Sequence, residues 1–96
     1  MEENRKYIIR GDRSGVFYGE IEDHHGQEVI MRNARCLWWW GGAASILQIA
    51  AEGVKYPSEC KFTMTVERLI LTDVIETIPC TDAACASIDG VPEWKI

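Results

Sequence analysis

The sequence predicts an α+β domain built on a mainly antiparallel sheet of about five strands, with two short helices and the element order βββαββα. Short runs rich in β-branched and aromatic residues alternate with clusters of turn formers in the first half of the chain, which is typical of strands joined by tight loops. Two helix-capping residues, Ser45 and Thr81, precede later apolar segments. At 96 residues the chain has the length of one domain, 1–96, whose core is small enough that oligomerisation would stabilise it.

The first three predicted elements are strands. Residues 7–10 are followed by the turn-forming cluster 11–15, residues 16–22 form the second strand, and a loop at 23–26 leads to a third strand at 27–40. Because alternate residues of a strand face opposite sides, the third strand should divide into two sets. One face is expected to carry Val29, Met31, Asn33, Arg35, Leu37 and Trp39, and the other Ile30, Arg32, Ala34, Cys36, Trp38 and Trp40.

Both predicted helices begin at a capping residue. Ser45 and Gln48 have the three-residue spacing of a capping box, and Gly53 marks the end of this first helix. Thr81 can cap a second, shorter helix over residues 83–88. We expect at least one of the two helices to cover a face of the sheet.

The segment between the helices predicts two further strands. Residues 61–66 alternate as a half-buried strand does, but residues 67–68 interrupt the alternation before the apolar runs 69–71 and 74–78. Either a bulge or a turn near residues 72–73 explains the pattern, and we favour a turn between two strands.

Composition excludes several classes of function. The net charge of −5 argues against binding of a nucleic acid polymer through its backbone. No apolar run approaches the ~20 residues that a membrane span requires, and no leader pattern is present, so we expect a cytoplasmic protein without membrane contact. The cysteines form no CxxC pair and have no metal-like spacing with the histidines, so we expect reduced thiols, no metal and no cofactor.

Three consecutive tryptophans, Trp38, Trp39 and Trp40, are the most informative feature of the chain. On a regular strand their side chains would alternate between the two faces, so one core cannot take all three. Large aromatic residues often fill the core of a small domain, but they also serve as stacking surfaces for ligands and as anchors of subunit interfaces. The sequence leaves these three interpretations open.

Arginines and small residues near the tryptophans complete a candidate binding site. Arginine matches phosphate oxygens with its planar fork of donors, although the arginines of the first loop could instead pair with Asp12 at the surface. The small residues after Trp40 lead into a helix start, where backbone N–H groups attract anions. The candidate ligand-binding residues are Arg10, Arg13, Arg35, Trp38, Trp39, Trp40, Gly41, Gly42 and Ser45. No catalytic motif is present, so we expect binding without turnover.

Several segments together resemble a widespread family of small phage and prophage proteins, and this family is similar to the Thoeris anti-defence sponge proteins. The resemblance covers nearly the whole chain; its segments are residues 9–19, 33–45, 53–55, 60–62, 74–76 and 91–95. It implies a phage protein that acts in the cytoplasm of the infected host as a homo-oligomer. Two positions depart from the family pattern, which more often has tyrosine at Trp39 and a basic residue at Cys36.

The sponge resemblance implies a specific function. The expected protein captures a bacterial immune nucleotide signal, of the cyclic ADP-ribose type or a cyclic oligonucleotide, and does not cleave it. The alternative is a protein-interaction module that inhibits a host protein through its Trp-rich patch. Under the first hypothesis, Arg35→Ala or Trp39→Ala should weaken ligand binding at least about tenfold while thermal unfolding stays nearly unchanged.

Overall fold

A computed structural model describes residues 5–96 and contains a seven-stranded sheet, two α-helices and a short 3₁₀ turn. The elements follow one another as β1 (Lys6–Gly11), β2 (Val16–His25), β3 (Glu28–Trp39), α1 (Ile46–Glu52), the 3₁₀ turn (Pro57–Glu59), β4 (Lys61–Thr63), β5 (Val66–Leu71), β6 (Val74–Pro79), α2 (Asp82–Asp89) and β7 (Glu93–Trp94). The predicted α+β class is confirmed. No helix among the described residues is long and apolar enough to cross a membrane.

The number of strands differs from the predicted five for two reasons. The segment after Lys61 forms two strands, because the chain leaves the sheet at residues 64–65. Residues 67–68, where the alternation of the sequence is interrupted, lie within β5. The second reason is that residues 93–94 form an additional strand, β7, which was not predicted. The predicted turn near residues 72–73 is present between β5 and β6.

β3 is the central strand of the sheet. It pairs with β2 along one side, while its other side pairs first with β5, from Val29↔Leu71 to Ala34↔Val66, and then with β4, at Leu37↔Phe62. The order of the sheet is β6-β1-β2-β3-β4-β7, with β5 also on β3. These pairings are antiparallel except that of β4 with β7, which is parallel.

The sheet curls strongly, so that distant strand ends meet. Val74, at the start of β6, pairs with Gly11 at the end of β1 and also donates its N–H to the Gln27 carbonyl, at 3.0 Å. This curvature encloses a core within the sheet. Its buried members are Tyr7, Ile9, Val29, Met31, Ala34, Leu71 and Val74.

A second core lies beneath the two helices. Hydrogen bonds join the two helical segments. The Ser87 hydroxyl of α2 accepts from the N–H of Val54, just after α1, at 3.0 Å, and the hydroxyl of Thr81, which caps α2, donates to the Ala51 carbonyl of α1 at 2.7 Å. The helices therefore cover one face of the sheet as expected. The buried residues of this core are Ile8, Tyr18, Leu37, Ile49, Ala50, Val54, Phe62, Cys80, Ala84, Ile88 and Val91.

A bulge in the middle of β3 overturns the predicted division of its faces. Between the pairs Tyr18↔Arg35 and Glu20↔Arg32, two residues of β3, Asn33 and Ala34, lie opposite Gly19 alone. Asn33 adopts a left-handed conformation with φ of 50°. Ala34 therefore joins the core within the curled sheet, whereas Arg35 and Leu37 face the helices, so Met31 and Leu37 pack in different cores.

Candidate functional site

Arg35 is buried at the centre of the helix-side core, with 5% of its surface exposed. Its five N–H groups donate to five backbone carbonyls: Nε to Thr63 at 2.9 Å, Nη1 to Ile88 and Val91 at 3.1 Å each, and Nη2 to Phe62 at 3.1 Å and Pro92 at 3.4 Å. Burial lowers the pKa of Arg35, while the charges of Glu93 and Asp89 act in the opposite direction.

The surroundings of Arg35 correct its predicted role as a ligand contact. All five donors of the guanidinium are engaged with the protein itself, so none remains for a phosphate. Arg35 instead joins β4, the end of α2 and residues 91–92 to β3. Those two residues lead directly into β7, so Arg35 fixes the start of the last strand.

The loop between β1 and β2 binds a carboxylate from the β5–β6 turn, where the sequence suggested that it would bind a phosphate. Asp73 accepts from the Arg13 and Ser14 N–H groups at 2.8 and 2.9 Å, and from the Ser14 hydroxyl at 2.7 Å. These hydrogen bonds, that from the Arg13 N–H first, lower the pKa of Asp73. The anion-binding backbone of this loop is thus satisfied by the protein's own side chain.

The two arginines of this region are not assembled with the tryptophans. The Arg10 guanidinium lies 3.7 Å from the Glu76 carboxylate, across the β1–β6 pair. Arg13 is exposed, and within residues 5–96 no hydrogen bond, ion pair or cation–π contact joins its side chain to Trp38, Trp39 or Trp40. Arg10 is thus engaged beside β6, and neither arginine lines the cleft formed by the tryptophans at the end of β3.

The three consecutive tryptophans line one shallow cleft of about 290 Å³. Trp38 and Trp39 are each 59% exposed, whereas Trp40 is half-buried against the helix-side core. The pairing of β3 with β4 shifts between Leu37↔Phe62 and Trp39↔Lys61, so Trp38 is an extra residue in β3. The prediction that Trp39 would face away from its two neighbours is therefore wrong.

Two residues that the sequence analysis did not select complete this aromatic surface. The Trp94 ring lies 5.3 Å from that of Trp38, centroid to centroid, with the planes tilted by 31°. The Lys61 ammonium lies 5.8 Å from the Trp38 centroid and 5.6 Å from that of Trp94. We call the set Trp38, Trp39, Trp40, Trp94 and Lys61 the tryptophan cluster. The only sequence signal for Trp94 was its residue type, because its position beside Trp38 depends on the β4–β7 pairing.

The small residues after Trp40 shape the chain reversal into α1. Gly42 has a φ of 82°, and its carbonyl accepts from the Lys55 N–H at 3.2 Å. A Cβ at Gly42 would approach the Lys55 nitrogen to 2.6 Å, so only glycine fits here. Gly41 similarly lies against Glu59. This turn brings residues 55–56 close to the end of β3.

Ser45 has the capping role that its spacing predicted. Its hydroxyl accepts from the Gln48 N–H at 3.2 Å, while the Gln48 side chain accepts from the Ala44 N–H at 2.7 Å. Because the hydroxyl and Gln48 are engaged with each other, Ser45 has a structural part at the beginning of α1.

Burial changes the titration of two other side chains, Cys80 and Tyr18. All four cysteines are free thiols, and burial raises the pKa of Cys80 to about 12. Tyr18 donates its hydroxyl to Asp89 at 3.0 Å, and burial raises the pKa of Tyr18. Within the described residues, no three His, Cys, Asp or Glu side chains are placed to hold a metal ion.

Comparison with known proteins gives a family but no characterised relative. No curated protein and no solved structure is significantly similar to this chain. A family model described as a domain of unknown function, DUF6948, matches residues 4–88. This match includes the three consecutive tryptophans and Lys61, and it ends before β7, which carries Trp94. Because the model spans most of the sequence, the chain belongs to the DUF6948 family.

Proposed function

We propose that this protein captures a nucleotide-type signal molecule at the tryptophan cluster and holds it without cleaving it. The observation that carries the proposal is the 59% exposure of both Trp38 and Trp39 in one cleft, beside a core that is otherwise filled by smaller side chains. Burying one large apolar side chain contributes about 1.5–3 kcal/mol. A ligand that covers both indoles therefore gains substantial binding free energy.

A nucleotide suits the chemistry of this surface. Stacking of a base on an aromatic side chain contributes about 1–3 kcal/mol, and it requires only a flat ring. Ligand sites usually enclose about 300–1,000 Å³. The cleft of about 290 Å³ is just below this range. We therefore include a homo-oligomer in the proposal, because a second subunit over the cleft would enclose the ligand.

The finer part of the proposal comes from the sequence resemblance. It makes the protein a phage-encoded sponge that withholds an immune signal, of the cyclic ADP-ribose type or a cyclic oligonucleotide, from a bacterial effector. The sequence assigned the ligand's phosphates to arginines, but none of Arg10, Arg13 and Arg35 lines the cleft. In the revised proposal Arg35, whose donors are all engaged, is not a ligand contact. Trp38 and Trp39 provide the main binding surface.

A second candidate function is direct inhibition of a host protein. It is favoured by the exposure of Trp94, which is 45% exposed and continues the apolar surface beyond the cleft. Tryptophan is enriched among the residues that dominate protein interfaces. This candidate predicts that a host protein copurifies with the chain and that no nucleotide does.

The two candidates are separated by thermal-shift and calorimetric screening of the purified protein against cyclic ADP-ribose isomers and cyclic dinucleotides, with chromatography of the recovered ligand. The proposal predicts sub-micromolar binding and recovery of unchanged ligand. A chemically altered ligand would contradict capture without cleavage. Absence of binding to every nucleotide would favour the protein-interaction candidate.

A further inference from the structure

A lysine and two tryptophans from three different strands meet at one end of the tryptophan cluster. The Lys61 ammonium lies 5.8 Å from the Trp38 ring centroid and 5.6 Å from the Trp94 ring centroid. The two rings lie 5.3 Å apart. The ammonium is therefore within the range of cation–π attraction to both indole rings, which stabilises its position over them.

The charge of Lys61 is not neutralised by a carboxylate among residues 5–96. The acidic residue nearest to it in the sheet register is Glu93, which follows from the Phe62↔Glu93 pair. Glu93 accepts instead from the Thr65 N–H at 3.2 Å and lies 3.6 Å from the Lys95 ammonium. Within residues 5–96 no hydrogen bond or ion pair engages the Lys61 ammonium, so its three donors can bind an anionic ligand.

The backbone fixes this arrangement. Lys61 lies opposite Trp39 in the β3–β4 pair, and Trp94 lies beside Thr63 in the β4–β7 pair. The segment before β7 is held by the hydrogen bonds of Arg35 to the Val91 and Pro92 carbonyls. A site whose parts are held in advance loses little conformational entropy when a ligand binds.

We propose that Lys61, Trp38 and Trp94 form a subsite for the phosphate-bearing part of the ligand, and that β7 thereby determines affinity. The inference rests on the proposed nucleotide-binding function and adds the class of group that is recognised: an anionic phosphate beside a flat ring. A lysine ammonium binds phosphate as a point charge. Phosphorylated ligands should therefore bind more tightly than the corresponding uncharged nucleosides.

The test compares cyclic ADP-ribose, which carries a diphosphate, with adenosine, which carries none, by calorimetry on the full chain. Wild-type protein should bind cyclic ADP-ribose at least tenfold more tightly than adenosine. Lys61→Gln should lose about tenfold in affinity for cyclic ADP-ribose and less than twofold for adenosine. Trp94→Ala should weaken the binding of both. Lys95→Gln, which removes a nearby lysine that faces Glu93, is the matched control and should bind as wild type does.

The outcomes separate this inference from the proposed function. If Lys61→Gln and Trp94→Ala bind cyclic ADP-ribose as tightly as wild type while Trp39→Ala does not, the subsite is wrong and the proposed function stands. If wild-type protein binds neither probe, both the inference and the nucleotide-binding proposal are overturned. Trp94 is 45% exposed and belongs to neither core, so thermal unfolding of Trp94→Ala should match that of wild type.

Discussion

Arg35 and Trp39 lie in the same strand, yet their surroundings are opposite. Arg35 is 5% exposed with every donor engaged, and Trp39 is 59% exposed. The partners of Arg35 come from positions 27 to 57 residues away in the sequence. No local pattern could reveal them, which is why the sequence assigned Arg35 to a ligand. Ser45, whose capping partner is only three residues away, was predictable.

Arg35→Met is expected to destabilise the fold rather than to act on binding alone, which reverses the expectation drawn from the sequence. The change removes the guanidinium from five carbonyls, of which that of Ile88 still accepts from the Val91 N–H. Each hydrogen bond to a charged group is worth about 1.5–3 kcal/mol. We expect a loss of at least about 3 kcal/mol in the free energy of unfolding, measured by urea denaturation. The exposed Arg13→Met is the control and should change stability by less than about 0.5 kcal/mol. Equal stability of the two variants would contradict the structural role.

Asp73 gives the stability of the fold a specific dependence on pH. Its pKa is lowered by hydrogen bonds from the loop, so it lies below the value of about 3.9 expected in the unfolded chain. The stabilisation is therefore complete above the unfolded pKa and is lost as the pH falls through the folded pKa. Asp73→Asn should be less stable than wild type at pH 6, and the difference should shrink towards pH 3.

The measurement for Asp73 is urea denaturation across that pH range. Asp12→Asn, in the same loop, removes a carboxylate for which the structure records no side-chain hydrogen bond within residues 5–96, and it serves as the control. A constant difference between wild type and Asp73→Asn from pH 6 to pH 3 would show that the loop contact is not linked to protonation.

At the scale of elements, β3 combines regular pairing with two irregularities. Its predicted extent, 27–40, is close to the observed Glu28–Trp39, because the β-type pattern there is continuous. The bulge at Asn33 and the shift at Trp38 were not predictable, since both depend on the strands beside β3. These two irregularities decide which side chains are buried and bring the three tryptophans to one cleft. The short β7 was missed for the same reason.

Gly19 faces the bulge in β3 and should not tolerate a side chain. A Cβ at Gly19 would lie 2.9 Å from the Ala34 Cα and 2.9 Å from the Asn33 carbonyl oxygen, both of which are backbone atoms. We expect Gly19→Ala to lower the free energy of unfolding by about 1–3 kcal/mol, because the two strands must separate. Chemical denaturation measures this loss. Wild-type stability in the variant would contradict the close contact between β2 and β3.

For the whole molecule, the curled sheet encloses one core and the two helices cover another. The tryptophan cluster lies where the end of β3 meets the start of β4 and the short β7, and of its members only Trp40 packs against the helix-side core. The sequence predicted the fold class and selected the three consecutive tryptophans. It did not find Trp94 or Lys61, because their approach depends on strand register. It grouped the arginines with the tryptophans, although the curled sheet places Arg10 beside β6.

All four tryptophans of the chain belong to the tryptophan cluster, so tryptophan emission reports on the candidate site. The most direct test is therefore a titration of tryptophan emission with cyclic ADP-ribose, for wild type, Trp39→Ala and a control, Ile75→Ala. Ile75 is an exposed residue of β6, at the opposite edge of the sheet from β7. We predict saturable quenching with sub-micromolar affinity for wild type and Ile75→Ala, and at least tenfold weaker binding for Trp39→Ala. Saturable binding that Trp39→Ala leaves unchanged, or no saturable change in wild type, would contradict the assignment of the site.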